Sequence, residues 1–422
     1  VWELRWAQPS ARPLGRVTET PAHPGDMKYV STRGGSPPVD FVGALIGGLA
    51  PDGGLYVPES IPSLPEGWSS WSYAEAVSSV LELFGAEHTD DLVADAASRF
   101  HHPEVAPIVQ VGERQLLELF WGPTLSFKDH ALQVLARVLD REVDRGVVLG
   151  ATSGDTGSAA IEACRGSENL EVFILFPEGR VSEFQRRQMT TVPGTNTHAV
   201  AVRGTFDDCQ RLVKEAFATH PELLAVNSIN WARIAAQTGF HVHAAARMGG
   251  RYDVVVPTGN FGNVYSCWLA KQMGAPIETI VIANNANHGL SDLINTGHIT
   301  QTAVVPTIAP AMDIQVPSNL ERFPTDPGEV FRASWSNDLQ ITQTIAEVSE
   351  THDYRLDPHT ATAWRAGDET QGELPQLVVA TAHPAKFTDA VPPPRWFPSN
   401  EGLEERQVTI DTDASELEHL IR

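Results

Sequence analysis

Lys128 stands in the stretch GPTLSFKDHALQ (residues 122–133), between Phe127 and Asp129, where an amphipathic helix pattern begins. A helix N-terminus favours negative charge. A lone cation there is either an ordinary solvated lysine or an amine whose pKa is lowered for use as a nucleophile. Two further stretches place glycines and small residues between an apolar run and a helix pattern: GATSGDTGSAA (150–160) and PTGNFGNVYS (257–266). Glycine lets backbone amides approach a ligand closely, and the helix start adds free N–H groups and a positive dipole. Each turn suits a phosphate or a carboxylate, although strand-to-helix turns in α/β proteins need small residues in any case. Familiar alternatives fail on spacing. In a nucleotide P-loop the residue five after the first glycine is a second glycine, followed by lysine; here Asp155 stands five after Gly150 and no lysine follows. The dinucleotide pattern G-x-G-x-x-G is absent from both turns. HExxH and G-x-S-x-G are missing as well, and His241 and His243 of FHVHAAA fall on opposite sides of a helix pattern, so they read as core or surface histidines and no metal site is expected. One lysine with two anion-holding turns points to a phosphorylated carbonyl cofactor, held by its phosphate and joined to the Lys128 amine as a Schiff base.

The elements around these residues follow from periodicity. GVVLGA, EVFILFP, HAVAVRG, YDVVVP and ETIVIANN are short apolar runs, and amphipathic helix patterns separate them. Such alternation predicts a mostly parallel α/β sheet covered on both faces, over a body spanning residues 104–422. Thr205 and Asp208 have capping-box spacing ahead of one of these helices. Residues 27–103 read differently: a strand-like MKYVSTRGG, then three helix patterns, the last with Thr89 as N-cap. This is a mainly helical N-terminal segment. Residues 1–26 are rich in Pro and Arg without periodicity and read as an extension, either disordered or belonging to an upstream start site. ASELEHLIR predicts a terminal helix.

The 422 residues carry 53 acidic against 30 basic side chains, a formal net charge of −23. That surface repels phosphate backbones and anionic membranes, which argues against nucleic-acid and membrane partners while leaving room for a small anionic substrate in a local pocket. Cys164, Cys209 and Cys267 are too dispersed for a disulfide framework or a CxxC clamp and suit a reducing compartment. No apolar run reaches the ~18 residues of a membrane span, and nothing resembles a secretory signal. A cytoplasmic location is expected.

Taken together, STRGG, GLAPDGGLYVPE, GPTLSFKDHALQ, GATSGDTGSAA, NSINWARIAAQ, PTGNFGN, APAMDIQVPSNLERF, DPHTA and TAHPAKF occur in an order that resembles the threonine synthases, a branch of the fold-type II pyridoxal-phosphate (PLP) enzymes. The resemblance covers most of residues 27–422. It implies two mostly parallel α/β lobes with PLP in the cleft between them, preceded by the mainly helical segment. Lys128 is then the lysine that bonds the cofactor. Gly259, Asn260, Phe261, Gly262 and Asn263 hold its phosphate, and Thr381 hydrogen-bonds the pyridine nitrogen. Ser153, Asp155 and Thr156 lie in the loop that binds the substrate carboxylate, while Asn230, Arg233 and Lys386 are candidates for the substrate phosphate. Asp155 stands where many fold-type II relatives have Asn, a departure from the wider superfamily that resembles the threonine synthase branch. Trp121 stands where His often precedes GPT and reads as a packing residue. The activity implied is conversion of O-phospho-L-homoserine and water to L-threonine and phosphate, as the last step of threonine biosynthesis. The alternatives are a threonine-synthase-like phospholyase or another fold-type II lyase such as threonine dehydratase. STRGG and GLYVPE favour the first.

Overall fold

The computed structural model describes residues 27–299, 303–323, 330–388 and 390–422; the expected extension at residues 1–26 lies outside them. The chain opens with β1 (Tyr29–Ser31), α1 (Phe41–Gly47) and β2 (Tyr56–Pro58), the two strands pairing antiparallel, and continues into α2 (Tyr73–Leu83) and α3 (Asp90–Ala97). The mainly helical reading of this segment therefore omitted β2, whose GLYVP is too short to show a period. Ser72 and Glu75 form a capping box at the start of α2. Thr89 does stand at the N-cap position of α3, but its hydroxyl makes no cap bond and reaches the Ser78 hydroxyl at 2.8 Å instead.

The body begins with β3 (Ile108–Val111), β4 (Arg114–Glu118), α4 (Lys128–Glu142), β5 (Gly146–Ala151), α5 (Asp155–Cys164), β6 (Leu170–Pro177), α6 (Glu183–Thr190), β7 (Thr197–Val202) and α7 (Phe206–Thr219). It continues through α8 (Trp231–Met248), β8 (Tyr252–Pro257), α9 (Gly262–Gln272), β9 (Ile277–Asn284), α10 (Gly289–Thr296), β10 (Phe331–Trp335), α11 (Asp338–His352), α12 (Pro358–Glu369) and β11 (Gln376–Ala380). β12 (Val408–Ile410) and α13 (Ala414–Ile421) end it. The Thr205–Asp208 capping box is present at α7.

Two sheets result. One has the order β10-β9-β8-β11-β4-β3, parallel except for the β3–β4 hairpin, and the other is the fully parallel β12-β7-β6-β5. β11 sits between β4 and β8, strands that precede it by more than a hundred residues. One core cluster joins Val172 and Ile174 of the smaller sheet to Val254 and Val256 of the larger through α4, α5, α8 and α9. Phe173 and Leu175 point the other way, onto α7 and α13, as a strand's two-residue period requires. α8 is buried from Trp231 to Ala245 on every side, the signature of a helix enclosed by other elements rather than laid on a surface. No described helix is long and apolar enough to cross a membrane.

Candidate active site

The segments that carry the expected chemistry all leave the C-terminal ends of parallel strands: β4 leads to Lys128, β5 to Asp155, β8 to Gly259 and β11 to Thr381. That end of an open α/β sheet is where ligands characteristically bind. Backbone hydrogen bonds fix two of these segments to each other. Phe127 N donates to Thr381 O at 2.8 Å, His383 N donates to Leu125 O at 3.1 Å, and Ser126 bridges Ala382. Leu125 takes a positive φ of 60° to make the turn. Lys128 is consequently set as the first residue of α4, directly beside Thr381, with no side chain capping the helix. Thr381 is buried, and its hydroxyl makes no hydrogen bond among the described residues.

The Lys128 Nζ lies 3.1 Å from Asp155 Oδ2, with Asp155 buried and the Lys128 side chain largely enclosed. Asp155 opens α5 behind Gly154, whose φ of 148° is open only to glycine. Its Oδ1 accepts from Gln185 Nε2 at 2.9 Å and pairs with Lys386 Nζ at 3.1 Å. Burial lowers the Lys128 pKa and Asp155 pulls it back up, while the positive charges of Lys386 and Arg233 add to the lowering. For Asp155 burial acts upward, but the Lys128 and Lys386 charges outweigh it and hold the carboxyl well below the usual carboxylate range. Thr152 organises the turn by accepting from the amides of Gly154 and Gly157, each at 2.9 Å. Ser153 is exposed and Thr156 partly so, and neither hydroxyl has a partner among the described residues.

Beyond β8 the chain runs close under the segment 309–313. A Cβ on Gly259 would lie 2.5 Å from Ala311 O, which only glycine avoids. Phe261 then adopts φ 63°, with its ring edge-on to Phe323 and Phe331, and α9 starts without a side-chain cap. Uncapped first-turn amides are what an anion requires. Asn263 Oδ1 is 2.8 Å from His241 Nε2, and its Nδ2 is buried without a partner. The Asn260 carboxamide, in contrast, is engaged on both sides, donating to Ser228 Oγ and accepting from Ser318 N. These features fit a phosphate-bearing cofactor: a largely enclosed amine, an uncapped helix start, an orphaned amide donor and an unengaged hydroxyl, all at one sheet edge.

The three candidates for the substrate phosphate are placed very differently. Asn230 is the N-cap of α8: its side chain accepts from Ala232 N and donates to Leu45 O and Ala225 O, which leaves it no free donor. Its carboxamide holds a helix, contrary to the sequence reading. Arg233 is buried, donates from Nη1 to Val226 O at 3.0 Å, and has an Nε without a partner. Burial brings its pKa down to about 10, so it stays charged. Lys386 is fully buried in the 3₁₀ turn Pro384–Lys386, with Nζ bonded to Thr124 O at 2.7 Å, Gln188 Oε1 at 2.9 Å and Asp155. Two of its three donors are hydrogen-bonded and its charge is paired with Asp155. Trp121 donates from Nε1 to Glu118 Oε2 at 2.8 Å and lies among the rings of Phe120, His102 and Trp396, as a packing residue would.

Gln185 and Gln188 went unnoticed in the sequence. Their three-residue spacing in EFQRRQMT puts both on one face of α6, and that face meets Asp155 and Lys386. His241 was read as an ordinary histidine, yet it orients Asn263.

Residues 117–384 match the family model described as pyridoxal-phosphate dependent enzyme, and residues 28–97 match that described as threonine synthase N terminus. The chain is 42% identical over 420 residues to the threonine synthase of Pseudomonas aeruginosa, covering 86% of this chain and 90% of the relative. The crystal structure of PLP-bound threonine synthase from Brucella melitensis resembles it with a TM-score of 0.88 at 38% identity, covering 94% of this chain and 99% of that one. Threonine synthase from Escherichia coli does so with a TM-score of 0.83 at 30% identity, covering 93% and 99%.

Proposed function

Because the chain belongs to the threonine synthase family of pyridoxal-phosphate-dependent enzymes, we propose that its cleft converts O-phospho-L-homoserine and water to L-threonine and phosphate, with Lys128 as the residue that holds the cofactor and carries protons. What supports this reading most is the pinning of Lys128 beside Thr381 with its amine 3.1 Å from Asp155.

Bound PLP supplies an electron sink for the charge that develops at the substrate α-carbon. The amides of residues 259–263 and the Asn263 carboxamide suit its phosphate, and the Thr381 hydroxyl suits its pyridine nitrogen. Lys128, once released by the substrate amine, is a largely enclosed base whose lowered pKa favours the neutral form. In that form it takes the α-proton; loss of a β-proton then lets phosphate leave the γ-carbon, and Lys128 as the acid returns a proton at the γ-carbon. Asp155 keeps the amine aimed and helps recover the proton. Ser153, Thr156 and the α5 amides are the donors proposed for the substrate carboxylate. Arg233 is the proposed partner of the departing phosphate, since a guanidinium stays charged when buried and presents several donors. Burial of Asp155, Arg233, Asn263 and Thr381 limits access of bulk water on that side of the cleft until one molecule adds at the β-carbon.

Product analysis of the PLP-loaded protein with O-phospho-L-homoserine tests the proposal. Threonine and phosphate should form in equal amounts, and Lys128→Ala should abolish both. Phosphate accompanied by 2-oxobutanoate in place of threonine would overturn the water-addition step and make the chain an elimination enzyme.

A further inference from the structure

Lys386 directs its ammonium to protein groups. Its Nζ is bonded to Thr124 O at 2.7 Å and Gln188 Oε1 at 2.9 Å, and its remaining partner is Asp155 Oδ1 at 3.1 Å. The other oxygen of the same carboxylate meets Lys128 at 3.1 Å. One buried carboxylate thus lies between two lysines. α6 holds this arrangement from one side: Gln185 donates to Asp155 Oδ1 at 2.9 Å, and Gln188 both accepts from Lys386 and donates to Thr124 O at 3.1 Å. Thr124 in turn donates its N–H and hydroxyl to Asp129, the residue after Lys128, at 2.8 and 2.7 Å.

We propose that Lys386 is a positioning residue for the reaction: anchored by Thr124 and Gln188, it holds Asp155 in a bridge between the two lysines and, by sharing that carboxylate, sets the charge state of the Lys128 amine. The inference rests on the reading of Lys128 as the cofactor lysine. The charge sums explain why a second lysine is needed. With Lys128 as its sole partner, Asp155 would hold the proton on that amine and keep it from acting as a base. With Lys386 drawing on the same carboxylate, the hold is weaker, and the carboxylate stays ionised whether Lys128 carries a proton or not. The other charged or titratable groups facing this cluster are Arg233 from α8, Asp129 from α4, His359 from α12 and His383 just before Lys386. Arg233 acts on Lys128 in the same sense as Lys386.

Two substitutions should then move one observable in opposite directions. The observable is the pH at which the visible absorption of the lysine-bound cofactor changes, titrated from about pH 5 to about pH 10, the span of ordinary side-chain values from carboxylates to lysine. Lys386→Met leaves Asp155 to act on Lys128 alone, so the transition should move up. Asp155→Asn removes the counter-charge and leaves Lys386 and Arg233 opposing a proton, so the transition should move down. The Lys386→Met shift should be about two pH units, the effect of a unit charge roughly 6 Å away at an effective dielectric of about 20, and the Asp155→Asn shift should be larger, since that carboxylate is 3.1 Å from the amine. Loss of packing alone gives no reason for opposite signs. Shifts of the same sign, or a Lys386→Met transition matching that of the unsubstituted protein, would overturn the proposal. If Lys386→Met does not fold, Lys386→Gln, uncharged but still polar, decides in its place: an upward shift supports the bridge and an unmoved transition refutes it. An unsubstituted protein that shows no lysine-bound cofactor absorption at all would instead refute the reading of Lys128 beneath it.

Discussion

Gly259→Ala should loosen the proposed phosphate cradle and the segment above it together. The added Cβ would lie 2.5 Å from Ala311 O and 3.0 Å from Met312 Cα, with Ile314 Cδ1 at 3.3 Å. Gly259 does not have a positive φ, so the penalty is contact and not backbone strain. Backbone atoms cannot swing aside as a side chain can. The covering segment is also tied down: Ala311 N donates to His359 Nε2 at 3.2 Å, Asn285 Nδ2 donates to Ala309 O at 3.2 Å and to Asp313 Oδ1 at 2.7 Å. Relief therefore requires a shift of the whole segment or of the cradle. Overpacking of this kind costs about 1–3 kcal/mol, a fall in Tm of roughly 1–4 °C for a chain of 422 residues. Misplacing one amide that serves a phosphate removes about 1.5–3 kcal/mol more from cofactor binding, so the PLP Kd should rise about tenfold or more. Gly262→Ala is the control, because its Cβ would meet Asn319 Nδ2 and Ile234 Cδ1 at 3.5 Å, ordinary contact distances. Thermal melts with and without PLP, together with equilibrium PLP titration, measure both effects. If Gly259→Ala matched Gly262→Ala in Tm and Kd, the steric reasoning would be refuted.

Asn230→Ala should destabilise the fold by about 1–3 kcal/mol through loss of the α8 cap and two buried bonds, with little change in substrate KM; Arg233→Gln should do the reverse, and paired denaturation and kinetics separate the two. His241 is buried, and burial lowers its pKa to about 4 despite the bond to Asn263. Its folded value lies below the unfolded one of about 6.5, so its neutral form contributes stability that is present above pH 6.5 and lost as pH falls toward 4. His241→Gln does not titrate there, so urea denaturation should show the stability gap between wild type and variant narrowing by about 1.4 kcal/mol from pH 7.5 to pH 5.5. A constant gap would contradict the buried neutral imidazole.

How much of this was legible depended on how local each feature is. β5, β6, β7, β8 and β9 are apolar runs buried on both faces, and they stand out in the sequence. β4 and β11 do not: RQLLE and QLVVA are five residues long, begin with polar side chains, and gain their identity by pairing with each other across the chain. The glycine turns and Lys128 were readable because turn chemistry and helix starts are set by neighbours in sequence. Lys386 reads from the sequence as a candidate for the substrate phosphate, while its ammonium faces partners that the sequence cannot show, since Thr124 lies 262 positions away and Gln188 lies 198. The Asn230 amide and the Thr89 hydroxyl were likewise claimed by partners that only the tertiary fold supplies. The two glutamines of α6 carried a spacing signal, but nothing local marked what that face would meet.

The place of β11 between β4 and β8 has a consequence for synthesis. A nascent chain completed only through α10 already contains Lys128, the turn at 150–160 and the turn at 257–266, yet its larger sheet lacks the middle strand. β4 and β8 then present unpaired edges, which are liable to associate with other chains. The bonds that seat Lys128 come from residues 381–383, translated after every other part of the pocket except Lys386. Parallel pairing over such separations is slow to form. Chains terminated before β11 therefore lack both the strand that joins β4 to β8 and the backbone contacts that seat Lys128.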